Sequence, residues 1–371
     1  MSNKNFEIYF DCGSSKIRAG AFNKENKNDS FHYESKFFSD HTNIETEIQK
    51  IISYLEKDTN EYLNDVNLMI DDQKMLSIGV SISKKLDGSK LKQEDVQFLA
   101  QEAKQQILKY YKDQDIVHII INNYRINDVL YTFLPDEIKC NLISIDILFI
   151  CLPKEITTYF KKIFLRLDIS IDKLICSSYA KSIYYKENFS FTKDISFIDI
   201  GFNKTSIIFY NKNKIIFFGT LSIGANHITK DISKILKINL EKSEKVKLNF
   251  DKDNNFLKEN NLSLDLIKQI IFARVEEILE ISTQYIKLNK PNKNTKKLKL
   301  ILTGEGSRIL DNNFKENISF LSDINLLEET TLDVCESGLK LKQGINKQEV
   351  VIIPKKFLKK GFFERLFHFF R

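Results

Sequence analysis

The stretch SFIDIGFNKTSIIFY, residues 196–210, decides how this chain is read. An apolar run enters Asp199 and Gly201, a short tip follows, and a second apolar run returns from Thr205. That order predicts a β-hairpin whose tip exposes backbone N–H groups. The opening of the chain repeats it: YFDCGSSKIRAGAF, residues 9–22, again runs strand, Asp, one residue, Gly, turn, strand. Asp11 and Gly13 precede Asp199 and Gly201 by 188 positions, about half of the 371 residues. Two like hairpins half a chain apart predict a duplicated fold with a cleft between its halves. A D-x-G turn by itself is common, and either hairpin alone leaves an ordinary turn open.

Glycine is used only 12 times, so its positions carry information. Glycine serves where the backbone must turn tightly or approach a ligand closely. Gly13, Ser14, Ser15 and Lys16 form a tip with amides, hydroxyls and a cation, a set suited to phosphate. Asp11 and Asp199, each at a strand end, could face one Mg²⁺ through water, because that ion prefers oxygen ligands. LTGEGSRI, residues 302–309 in the wider setting of LKLILTGEGSRIL (298–310), reads as a strand entering a glycine turn and a helix N-terminus. In LEKSEKVKLNF, Glu244 and Lys247 lie three apart and share a helical face.

Between the hairpins, LSIGVSIS, VHIIIN and NLISIDILFICLP read as strands. KQEDVQFLAQEAKQQILKYY reads as an amphipathic helix with Val96, Leu99, Ala100, Ala103, Ile107 and Leu108 on one face. KEITTYFKKIFLRLD reads as a second helix. The run from 77 to 164 is therefore a small inserted βαββα-like domain, and residues 233–296 are mostly helical.

Taken together, these segments resemble the actin-like ATPases and, within them, the bacterial cell-division FtsA family. FDCGSSKI resembles the first phosphate motif, FIDIGFNKTSI the second, IGANHITKDIS the turn that follows, LEKSEKVKLNF the ribose helix, and LTGEGS the adenosine loop. The resemblance implies an α/β, actin-like (RNase H-like) duplicated two-lobed fold. Its first lobe would take 1–76 and 165–192, the insert 77–164, the second lobe 193–232 and 297–343, the helical subdomain 233–296, and a linker with an amphipathic helix 344–371. It places ATP with Mg²⁺ in the cleft. Asp11, Gly13, Ser14, Ser15, Lys16, Asp199, Gly201 and Gly224 would lie at the phosphates, Glu244 and Lys247 at the ribose, Gly304 and Gly306 at the adenosine, and Asp11 and Asp199 at the metal. Its partners would be the FtsZ C-terminal tail, the inner leaflet of the cytoplasmic membrane at the septum, further copies of the chain, and later division proteins. The alternative within the same fold is a PilM-like platform of pilus assembly.

The departures gather at the nucleotide. Phe202 and Asn203 stand where the family has glycines, Lys204 where it has threonine, Ser206 where it has an acid, and Ala225 and Glu305 where it has glycine. Side chains at such tips crowd a phosphate. The resemblance with these departures implies at most a weak ATPase.

The chain ends KKFLKKGFFERLFHFFR. At helical spacing Phe362, Phe363, Leu366, Phe367, Phe369 and Phe370 fill one arc of roughly 160°. Lysines including Lys359 and Lys360 precede it. Rings in the headgroup boundary and lysines on anionic lipid make a membrane-surface helix; a terminal helix docked on the chain's own core is the other reading. The net charge of +6 sits mostly in this tail, leaving a near-neutral body, which argues against a nucleic-acid partner. Five cysteines without a C-x-x-C pair fit free thiols and neither a disulfide framework nor a zinc site.

Overall fold

The computed structural model describes residues 5–26, 29–38, 43–136, 138–189, 194–211, 214–250, 262–289, 298–310 and 324–350. The expected membrane residues, Lys359 to Phe370, lie outside these. Among the described residues no helix is long and apolar enough to cross a membrane.

The first sheet has the order β3-β2-β1-β4-β9, from β1 (Phe6–Cys12), β2 (Ile17–Asn23), β3 (Ser30–Glu34), β4 (Asp65–Ile70) and β9 (Ser170–Cys176). The second has the order β12-β11-β10-β13-β14, from β10 (Asp194–Ile200), β11 (Thr205–Asn211), β12 (Lys214–Leu221), β13 (Leu298–Thr303) and β14 (Ile324–Leu326). In each sheet the hairpin strands pair antiparallel and the first of them pairs parallel with the next strand inward. The duplication extends to single residues. Asp11 lies opposite Arg18 in the first hairpin, and Asp199 lies opposite Ser206 in the second. The Gly13 N–H donates to the Lys16 carbonyl at 3.0 Å, and the Gly201 N–H to the Lys204 carbonyl at 2.8 Å.

Strand β10 is buried from Ile195 to Ile200, so both of its faces must be covered. Ile195 and Phe197 point into the larger core with α4 (Ser177–Lys186) and α8 (Thr331–Lys342), while Ile198 and Ile200 point to the other face. That face packs α5 (Ala225–Leu236), α6 (Leu240–Asn249) and α7 (Leu264–Asn289). A period of two thus sends one strand into two cores. Helix α1 (Ile44–Thr59) covers the first sheet with Ile44, Ile48, Ile51, Ile52 and Leu55, one apolar stripe at helical spacing.

The insert is a third sheet, β5-β8-β6-β7, from β5 (Leu76–Lys90), β6 (Gln114–Ile126), β7 (Val129–Tyr131) and β8 (Lys139–Pro153). Its pairs are antiparallel, and α2 (Gln93–Tyr110) packs on it. Val96, Leu99, Ala100, Ala103 and Ile107 are buried as expected, but Leu108 is 41% exposed. At 100° per residue Leu108 falls to the side of the stripe that the other five share. Strand β7 adds one short element to the expected pattern, and α3 (Lys154–Arg166) returns the chain to β9.

Candidate functional site

Both hairpin tips and the end of β13 converge on one cavity of about 430 Å³ between the lobes, within the range of small-molecule sites. Asp11, Gly13, Ser14, Ser15, Lys16, Asp199, Gly201 and Gly304 line it. Gly224, Glu244, Lys247 and Gly306 do not line it. The structure brings the expected phosphate residues other than Gly224 to the cavity, and of the expected nucleoside residues only Gly304, leaving Glu244, Lys247 and Gly306 walled off.

Phe202 explains the wall. It is buried at the tip of the second hairpin, and its ring meets Phe37 edge to face with centroids 5.3 Å apart. The Lys247 ammonium lies 5.6 Å from the Phe202 centroid. Lys247 is buried, pairs with Glu244 at 2.7 Å and donates to the Thr229 hydroxyl at 2.9 Å. Burial pulls the Lys247 pKa below its usual value, with Glu244 opposing. The two form a sealed ion pair on one helical face and present no free donor to the cavity.

Gly224 has a structural duty instead. The Ala225 and Asn226 amides at the start of α5 donate to the Gly201 and Phe202 carbonyls, at 2.9 and 2.8 Å. A methyl on Gly224 would sit 2.5 Å from the Gly201 oxygen, so only glycine lets the second tip lie on the helix. The helix N-terminus therefore satisfies its amides with protein carbonyls. Gly304 holds φ 90° with a would-be methyl 2.3 Å from Asp199 Oδ1, and Gly306 packs on Ile200. After β13 the chain makes a 3-10 turn at Glu305–Ile309, where the sequence suggests the N-terminus of a regular helix.

Five ion pairs join one lobe to the other across the cavity. Lys181 of α4 lies 2.8 Å from Asp199 and 3.2 Å from Glu329. Lys204 lies 3.1 Å from Asp71, past the end of β4. Arg18 bridges its strand partner Asp11, at 3.2 Å, to Glu305, and Lys16 lies 3.7 Å from Glu305. Burial works to raise the Asp199 pKa, but Lys181 and Lys204 outweigh it and hold the carboxyl below its ordinary value. Glu329 goes the other way: burial dominates and lifts it above the usual carboxylate value despite Lys181. One Glu329 oxygen has no protein partner, which fits a carboxyl that holds its proton more readily.

The donor set does not suit a metal. Asp11 gives one oxygen to Arg18 and accepts the Ser177 hydroxyl on the other at 2.6 Å. Asp199 gives one oxygen to Lys181 and packs the other against Gly304. Among the described residues no group of three or more His, Cys, Asp or Glu side chains could hold an ion. Mg²⁺ demands near-octahedral oxygen at 2.0–2.1 Å and would find its two expected ligands already engaged. The five cysteines are free and buried.

Sequence reasoning missed Arg18, Lys181, Asp71 and Glu329. Arg18 left a trace, as the one charge in the otherwise apolar strand IRAGAF. Lys181 left none, because its helix is buried on nearly every side and the sequence does not say what fills it.

Residues 196–332 match the family model described as cell division protein FtsA. No curated protein matches the chain in sequence. In structure the chain is similar to a PilM–PilN type IV pilus biogenesis complex, with a TM-score of 0.61 and 12% identity over 88% of this chain and 89% of that one. It is also similar to the ethanolamine utilization protein EutJ from Carboxydothermus hydrogenoformans, with a TM-score of 0.51 and 14% identity over 91% and 89%. These likenesses, with the duplicated sheets, carry the actin-like fold, and the family match carries a likeness to FtsA over residues 196–332, less than half of the 371 residues.

Proposed function

We propose that the chain is a cell-division platform that tethers the FtsZ ring to the inner face of the cytoplasmic membrane through its C-terminal aromatic segment. The observation that carries the reading is the FtsA family match over residues 196–332. The tail sequence supports it independently, since six large apolar residues that would share one arc at helical spacing, behind four lysines, suit an anionic lipid surface. Single-tail binding would be weak and reversible, so assembly of many copies would multiply it. Self-association, capture of the FtsZ tail near 233–296 and recruitment of later division proteins belong to the same proposal, as does residence at the septum.

Adenine nucleotide is the ligand this reading gives to the cleft. Its phosphates would meet Gly13 to Lys16 and Lys204, and its nucleoside would enter only by moving Phe202 off Phe37. With the second tip crowded in this way, turnover would be weak or absent.

The test is flotation of the full chain and of a chain ending at Pro354 on anionic vesicles, at low and physiological salt. Flotation of the full chain alone, weakened by salt, is the expected result. If neither chain floats the tether is lost, and a PilM-like platform without a membrane tail becomes the better reading.

A further inference from the structure

The cleft carries its own counter-ions. An actin-type cleft with two strand-end carboxylates facing each other needs positive charge between them, and the sequence suggests a divalent cation. Here that charge is covalently attached. Arg18 projects from β2 directly opposite Asp11. The position opposite Asp199 holds Ser206, which is uncharged, and Asp199 is served instead by Lys181 from the other lobe. The Lys204 ammonium reaches both Ser206 and Asp71.

We propose that Lys181 and Arg18 stand in for the divalent cation of this cleft. They neutralise its two strand-end carboxylates, tie the lobes together, and let a phosphate-bearing ligand engage Gly13 to Lys16 and Lys204 without metal. The proposal rests on the nucleotide reading given above. An ammonium at 2.8 Å and a guanidinium at 3.2 Å satisfy these carboxylates with hydrogen bonds as well as charge. A metal entering the same place would have to displace both cations and then lie against them. The pairs also cross between lobes. Lys181 joins α4 to β10 and to Glu329, and Arg18 joins β2 to the turn holding Glu305. Charge neutralisation and lobe closure are therefore one interaction, and the lobes hold together before any ligand arrives. Removing one partner strands a buried charge, so neither half of such a pair is dispensable.

The experiment uses the full chain in EDTA and in excess Mg²⁺. Two quantities are read in each buffer: the thermal unfolding midpoint, and the affinity for a fluorescent ATP analogue. The midpoint of the natural chain should be the same in both. The two affinities should agree within about twofold, well inside the 1.4 kcal/mol that a tenfold change represents. Lys181→Gln frees Asp199, so its midpoint in EDTA should fall and Mg²⁺ should restore part of the loss. Lys204→Gln leaves Asp71 with the Cys176 thiol and the Ser178 amide on its two oxygens, and should fall without such rescue. A natural-chain midpoint that rises with Mg²⁺, or analogue binding at least about tenfold tighter with Mg²⁺ than with EDTA, overturns the proposal and leaves the nucleotide reading standing. Absence of analogue binding in both buffers overturns the two together.

Discussion

Glu349 Oε1 lies 2.8 Å from His118 Nδ1, and the other ring nitrogen of His118 accepts the Cys176 amide at 2.9 Å. An accepting Nε2 carries no proton, so the imidazole is neutral and its Nδ1–H donates to the carboxylate. The Tyr179 hydroxyl donates to the second Glu349 oxygen at 3.2 Å. Backbone bonds flank the contact, from Ile121 N–H to the Gln348 carbonyl and from Val350 N–H to the Ile119 carbonyl. The chain that leads towards the tail is thus fastened to the insert through β6 and to the first lobe through α4 and β9.

Removing that fastening has a measurable cost. Glu349→Ala leaves the His118 N–H and the Tyr179 hydroxyl buried without their acceptor, at about 1–3 kcal/mol for such a group. Urea unfolding should show the loss, and Glu349→Gln, which keeps an acceptor, should lose less. Equal stability of all three chains would contradict the arrangement.

Stability should rise with pH through a window set by Lys186. Burial pulls its ammonium down to about 8, with Glu187 opposing, and its charge lies 4.9 Å from the Tyr210 ring centroid. Between that value and the unfolded lysine value near 10.4, the unfolded chain holds a proton that the folded chain has lost. Stability therefore increases with pH across the window, by at most on the order of 3 kcal/mol. The difference between the natural chain and Lys186→Met, followed from neutral pH upward, should show this rise. A flat difference would refute it.

Two glycines offer a matched comparison. Gly304→Ala meets a left-handed φ of 90° and places a methyl 2.3 Å from Asp199 Oδ1. Strain of about 1–3 kcal/mol is expected from the backbone alone, with the clash added. Gly79→Ala, in β5 with nothing within 4 Å of the new methyl, should be neutral or slightly stabilising. Denaturation midpoints of the two variants should fall on opposite sides of a 1 kcal/mol line, roughly.

Phe202→Gly tests the wall beside the cavity. The ring's contacts with Phe37 and Lys247 disappear, and loss of a buried phenyl costs about 3–5 kcal/mol when the site does not collapse. The same change should tighten binding of the ATP analogue by opening the side where Glu244 and Lys247 lie. A variant that is less stable yet binds no better would show that the nucleoside side is closed by more than this ring.

The two hairpins were legible because D-x-G between apolar runs has only a few foldings, and their repetition half a chain apart fixes the duplication. The insert was legible for a similar reason: period-two strands and the stripe from Val96 to Ile107 leave little choice. The cleft was harder. The sequence marks Asp11 and Asp199 as facing groups but not what faces them, because Lys181 and Glu329 arrive from elements distant in the chain. Glu244 and Lys247 share a helical face as their spacing demands, yet spacing cannot say whether that face meets solvent, ligand or, as here, another side chain's ring. Pairings across lobes are set by tertiary packing, and no local pattern encodes them.

The insert leaves the first sheet after β4 and returns through α3 to β9, and those two strands are parallel neighbours. A helix between adjacent parallel strands is by itself a complete crossover. The β-α-β unit of the first lobe therefore closes without the 78 residues of β5 to β8. The insert is an accessory limb spliced into a connection that was already sufficient, free to change its outer surface without disturbing a single hydrogen bond between β4 and β9.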